Sequence, residues 1–194
     1  MRIVTKDLDE ANNLVFYVLV QGDMRYFDNF HLKLVANFIF DKAIDVEKEV
    51  FSFEEIKYDE QNIQGPQKIE KFKALKIIES KNFKFIGFEM PFLDYKADIL
   101  AEKDDKNIVV ECGPCKPWKP IDYLEEGADL WVLRDGEQTE LFILTKGENW
   151  DKKLNEFRSK RAEELKKIPS PLDTLMNEKD KEQKQEENKQ QGEK

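Results

Sequence analysis

The sequence predicts an α/β fold, a mixed central sheet flanked by helices, on three observations. Residues 83–88, 97–101 and 108–110 are short apolar runs separated by charged or turn-forming residues, the pattern of neighbouring strands. A helical stripe, Ile69, Phe72, Leu75 and Ile78, precedes them. Residues 117–126 have helix potential and lead into two further apolar runs, 128–133 and 140–145, around the Asp135-Gly136 turn. The core order is therefore helix, three strands, helix, strand.

Taken from the N-terminus, residues 14–20 form a continuous apolar run ending at Gln21-Gly22-Asp23, which predicts a buried strand. Phe30, Leu34 and Phe38 follow helical spacing, widened by Leu32, Val35 and Ile39, so 28–43 is expected to be a core-facing helix. His31 lies within it, with no partner ligand visible in the sequence. Residues 46–58 mix Val50, Phe51, Phe53 and Ile56 with acids and read as a strand or irregular pairing segment. Gly65-Pro66 then breaks the chain, a boundary between an N-terminal region, 1–66, and the core, 67–168. In the helix over 68–81 the apolar stripe directs Lys68, Lys71 and Lys76 away from the core. Gly113-Pro114 forces a turn, and Pro120 is tolerable in the first turn of the following helix. Trp150, Leu154, Phe157, Leu165 and Ile168 mark a terminal amphipathic helix expected to cover the sheet and to end at Pro169 and Pro171. The tail, 169–194, carries no aliphatic or aromatic residue beyond Met176, too little to offset ordering entropy, and is expected to be disordered.

A chain of 194 residues with 40 % hydrophobic composition can build one main domain. Its formal charge of -9 argues against broad electrostatic attachment to nucleic acid while leaving room for a local basic groove. No run approaches the roughly 18 apolar residues of a membrane span, and early acids spoil a signal peptide, so no membrane partner and a cytoplasmic location are expected. Cys112 and Cys115, the two cysteines, are too close in sequence to staple a fold.

Chemistry concentrates in 87–113. Asp98 enters the second strand run and Glu111 closes the third, so strand pairing can bring two carboxylates together at one end of a sheet, an arrangement suited to a hard divalent ion. With ADILAEK followed by IVVECG, residues 68–144 resemble the PD-(D/E)XK, or restriction-endonuclease-like, nuclease family. The resemblance implies a nuclease that hydrolyses DNA or RNA with Mg2+ (or Mn2+) held by Asp98 and Glu111, joined by Glu89 as an extra acid of the first core strand. Glu70, on the preceding helix, resembles a further such acid. Nucleic acid is the implied partner, and a homodimer is left open.

The family's signature lysine would fall two residues after Glu111, where this chain has Gly113. The replacement cation is sought in Lys96, Lys116 and Lys119, with Lys116 favoured as the catalytic lysine and Lys96 and Lys119 as contacts to nucleic acid. Trp118 and Tyr123 either stack on an exposed base or pack their helix on the sheet.

Two other readings stay open. Cys112-Gly113-Pro114-Cys115-Lys116 reproduces the CGPCK motif of thioredoxin, which would make Cys112 a nucleophilic thiolate and Cys115 its resolving partner. Glu111 stands where thioredoxin has tryptophan, however, and Pro117 follows closely. The other reading is a nuclease-like interaction protein without catalysis. Two cysteines and one distant histidine do not complete a zinc site.

Overall fold

Two tight hairpins set the register on which everything else depends. A computed structural model of the chain describes residues 2–4, 30–53, 63 and 65–167. Within it, strand β3 (Lys84–Phe92) turns into β4 (Tyr95–Lys103) through Leu93 and Asp94, and β4 turns into β5 (Lys106–Cys112) through Asp104 and Asp105. Both of the latter have positive φ, 51° and 60°, the backbone that two-residue turns need to match strand twist. The β3 pairing is irregular between Phe85 and Gly87, and the extra residue lets Phe85 and Phe88 both pack against the core.

The other elements are β1 (Arg2–Val4), α1 (Phe30–Phe40), β2 (Ile44–Phe51), α2 (Lys68–Ser80), α3 (Lys119–Glu125), β6 (Asp129–Arg134), β7 (Thr139–Lys146) and α4 (Trp150–Lys167). The seven strands form one sheet in the order β1-β2-β7-β6-β5-β4-β3. Among the described residues only β5 and β6 run parallel, joined by the crossover that contains α3; the other neighbours are antiparallel. The mixed α/β sheet expected from the sequence is present, and β1 and β2 extend it past β7. The strand expected over 14–20, residues 54–58 of the pairing segment, and the tail from 168 lie outside the described residues.

Alternation along the strands sorts side chains onto two faces. On one, Ile99 and Ala101 of β4, Ile108, Val110 and Cys112 of β5, Trp131 and Leu133 of β6, and Leu141 and Ile143 of β7 pack with Ala74, Ile77 and Ile78 of α2. Each valine, leucine or isoleucine among them contributes about 1.5–3 kcal/mol on full burial. The other face carries Leu100, Val109 and Glu111, and there Tyr123 and Leu124 of α3 are fully buried.

Two expected faces are corrected. In α2 the buried positions are Lys71, Ala74, Ile77 and Ile78, while Ile69 is 45 % exposed. Lys71, expected to point to solvent, is completely enclosed. In α1 the inward residues are Leu32, Val35, Phe38 and Ile39, and Phe30 is left exposed. Phe38 meets Trp150 edge-on at 5.6 Å, and Lys153 pairs with Asp41. From Leu154 the described part of α4, up to Lys167, belongs to a second unit of the chain.

Candidate active site

Three acids occupy one row across β3, β4 and β5. The β3–β4 register pairs Phe88 with Ile99 and Met90 with Ala97, which leaves Glu89 opposite Asp98. The β4–β5 ladder ends at Ile99 and Val110, and the next residue on each strand is Asp98 and Glu111. Facing residues of antiparallel strands share a side of the sheet, so register brings Asp98 and Glu111 together at its end. Glu89 has φ 54°, a left-handed backbone uncommon for a residue with a side chain and concentrated at functional sites.

Each acid is met by ammonium groups. Lys119, from the start of α3, donates to both carboxylate oxygens of Glu111 at 2.8 Å, and the Tyr123 hydroxyl donates to Oε1 at 3.0 Å. The Lys119 Nζ also lies 5.8 Å and 5.9 Å from the rings of Tyr95 and Tyr123, a partial aromatic cage. Lys71 Nζ bonds Glu89 Oε1 and lies 3.5 Å from Asp98 Oδ1, and Lys96 holds Glu89 Oε2 at 2.8 Å. The other Asp98 oxygen accepts the backbone N–H of Cys112 at 2.7 Å.

Burial pushes the Glu111 carboxyl above the usual glutamate range; Lys119 opposes the rise and the Asp98 charge adds to it. Burial acts the same way on Glu89, but hydrogen bonds and charge from Lys71 and Lys96 outweigh it and its pKa falls. Burial and the Glu111 charge keep the Tyr123 hydroxyl protonated.

The loop before α2 closes over this cluster. Gly65 has φ 78°, and a Cβ there would come 2.8 Å from Lys71 Nζ; Gly113 has φ 85°, and a Cβ there would meet Gln67 Nε2 at 2.8 Å. Both positions favour glycine for their left-handed backbone.

Of the residues expected from the sequence, Asp98, Glu111, Glu89, Lys96 and Lys119 gather here. Lys116 does not have the place expected for it: it is exposed, its Nζ 6.0 Å from the Trp118 ring centroid, and the ammonium on Glu111 is that of Lys119. Glu70 is half-buried in the first turn of α2. Lys71 was missed because a lysine counts as polar in a periodicity; its spacing to Ala74 and Ile78 was the available signal.

The two cysteines do not have the setting that the thioredoxin reading expects. Cys112 and Cys115 are free thiols, 3 % and 1 % exposed, and Cys112 belongs to the core beneath α2. Burial raises both thiols well above the ordinary range, with the Asp98 and Glu111 charges adding to it. A redox nucleophile needs the opposite, an accessible sulfur with a lowered pKa.

No group of three or more His, Cys, Asp or Glu among the described residues is arranged to hold a metal ion. Asp98 and Glu111 nevertheless offer two hard oxygen donors side by side, and magnesium is commonly held by one or two carboxylates with water and substrate phosphate completing its shell. The donor set fits that ion by chemistry. No helix among the described residues is long and apolar enough to cross a membrane. Comparison of the chain with family models, curated proteins and solved structures yields no match.

Proposed function

We propose that the chain is a metal-dependent nuclease of the PD-(D/E)XK type, hydrolysing phosphodiester bonds in DNA or RNA. The observation that carries this reading is the juxtaposition of Asp98, Glu111 and Lys119 where the β4–β5 ladder ends. The order helix, three antiparallel strands, helix, parallel strand around them supports the family's core architecture.

Asp98 and Glu111 would hold magnesium or manganese, which when bound supplies a more acidic water and positive charge at phosphorus. Lys119 replaces the cation missing at Gly113: held by Glu111 and flanked by two tyrosines, its ammonium is placed to stabilise negative charge developing on the phosphate. Tyr123 fixes the orientation of Glu111. Lys71 and the Cys112 N–H do the same for Asp98. The low exposure of Glu111 strengthens these interactions relative to water.

A nuclease-like binding module without catalysis is favoured by one observation, that Lys71 and Lys119 already balance the acids. One assay separates the two. Wild type, Asp98→Asn and Glu111→Gln are incubated with single- and double-stranded DNA and RNA, with Mg2+ or Mn2+ and with chelator, while circular dichroism monitors the fold. Metal-dependent cleavage lost in both folded variants is expected. Cleavage that survives in both removes the site, and a wild type that cuts nothing leaves the binding module.

A further inference from the structure

Beside Lys119 lies an aromatic patch that the carboxylate chemistry does not use. Trp118, immediately before Lys119, is half-buried and meets the His31 ring edge-on at 6.3 Å; His31 meets Phe30 edge-on at 5.5 Å. Phe30 is 63 % exposed and His31 is exposed, although the hydrophobic spacing of α1 had assigned Phe30 to the core. Two elements 88 positions apart in the chain, from Phe30 to Trp118, thus meet to display rings at the surface.

Lysines accompany these rings. Lys116 Nζ lies 6.0 Å from the Trp118 ring centroid, and Lys33, one helical turn after Phe30, is exposed. In a chain of net charge -9, positive charge next to exposed rings selects a ligand that combines a flat π-surface with an anion. Unpaired nucleotides have both. A duplex hides its base faces, and an apolar protein ridge gains nothing from ammonium groups among the rings.

We infer that Phe30, His31 and Trp118, with Lys116, form a stacking platform for an unpaired base of single-stranded nucleic acid, leading the strand toward Asp98 and Glu111. This rests on the nuclease reading and narrows its substrate class to single strands. DNA and RNA share the recognised chemistry.

The test measures binding in chelator, where cleavage does not contribute. Fluorescence anisotropy compares labelled oligothymidylate, oligouridylate and a blunt duplex of equal length on the full chain, with thermal denaturation of every variant. Single strands are expected to bind about tenfold or more tightly than the duplex, and Phe30→Ala and Trp118→Ala each to weaken that binding about five- to tenfold. The Phe30 ring is mostly in solvent, so its removal spares the fold, and Trp118→Phe retains a ring and is expected to retain most of the affinity. Lys116→Ala should flatten the salt dependence. The relative affinities for the two single strands name the sugar.

Equal or tighter duplex binding overturns the proposal, as does unchanged single-strand affinity in both aromatic variants, which would leave charge as the sole attraction. No single-strand binding by the wild type also overturns it. Single-strand binding without metal-dependent cleavage removes the nuclease reading and keeps the platform; cleavage with unaltered binding in the aromatic variants does the reverse.

Discussion

The ammonium of Lys119 lies 2.8 Å from both carboxylate oxygens of Glu111, and the two side chains are 13 % and 8 % exposed. Glu111 is the penultimate residue of β5 and Lys119 opens the helix that follows, so the pair ties the β5–α3 connection to the end of that strand. Removing one partner of such a pair strands a charge with little water to solvate it.

Lys119→Met is therefore expected to destabilise the fold by about 3 kcal/mol. Adding Glu111→Gln should recover more than half of that loss, because the stranded charge is gone. Urea denaturation of the two single variants and the double variant gives the coupling directly. On the nuclease reading Lys119→Met also abolishes cleavage, while Lys116→Ala leaves the chemical step intact.

Lys71 makes a second, more deeply enclosed cation, and its loss leaves Glu89 and Asp98 facing each other across β3 and β4. Lys71→Met should cost about 2–4 kcal/mol, and combining it with Glu89→Gln should lower that cost. Gly65→Ala should cost more than about 1 kcal/mol, since φ 78° is unfavourable for alanine and the new methyl crowds the Glu89 carboxylate and, behind it, the Lys71 ammonium. Chemical denaturation midpoints at constant slope are the measurement; a wild-type midpoint in Gly65→Ala would contradict the closeness of the loop.

The two shifted glutamates have opposite pH signatures. Glu111 binds its proton more tightly folded than unfolded, so its contribution is fully present below the ordinary glutamate value, about 4.3, and is lost as pH rises from there through the raised native value. Glu89, with a lowered pKa, contributes above that value and loses its contribution as pH falls through the native one. Stability profiles of Glu111→Gln should thus be flatter than wild type above about pH 4.3, and those of Glu89→Gln flatter below it. The reverse assignment of slopes would refute the burial-based explanation for Glu111.

Native Cys112 and Cys115 should react with a thiol reagent such as DTNB far more slowly than in urea, because burial both covers the sulfur and disfavours thiolate. Cys115→Ser should leave metal-dependent cleavage unchanged, and the wild type should show no insulin-disulfide reduction. Rapid labelling of the native protein would reopen the redox reading.

The sequence by itself determined the order and approximate bounds of the core elements, because hydrophobic period, turn residues and proline act within a few residues of one another. It also offered Asp98 and Glu111 as a pair that strand register could bring together, and the β4–β5 ladder, ending at Ile99 and Val110, makes them neighbours. Tertiary structure decided which way the helices face. In α2 the stripe Ile69–Phe72–Leu75–Ile78 competed with Lys71–Ala74–Ile77–Ile78, and the second is buried; a lysine is tolerated there because Glu89 and Asp98, 18 and 27 residues further on, supply its counter-charges. Local pattern carries no information about a partner contributed by another strand. For the same reason the choice between Lys116 and Lys119 was not legible: both follow the Gly113 turn closely, and the backbone path into α3 sends one ammonium to Glu111 and the other to the face of Trp118. Long-range electrostatic compensation, which exists once the sheet has assembled, is what turns a row of acids into a site.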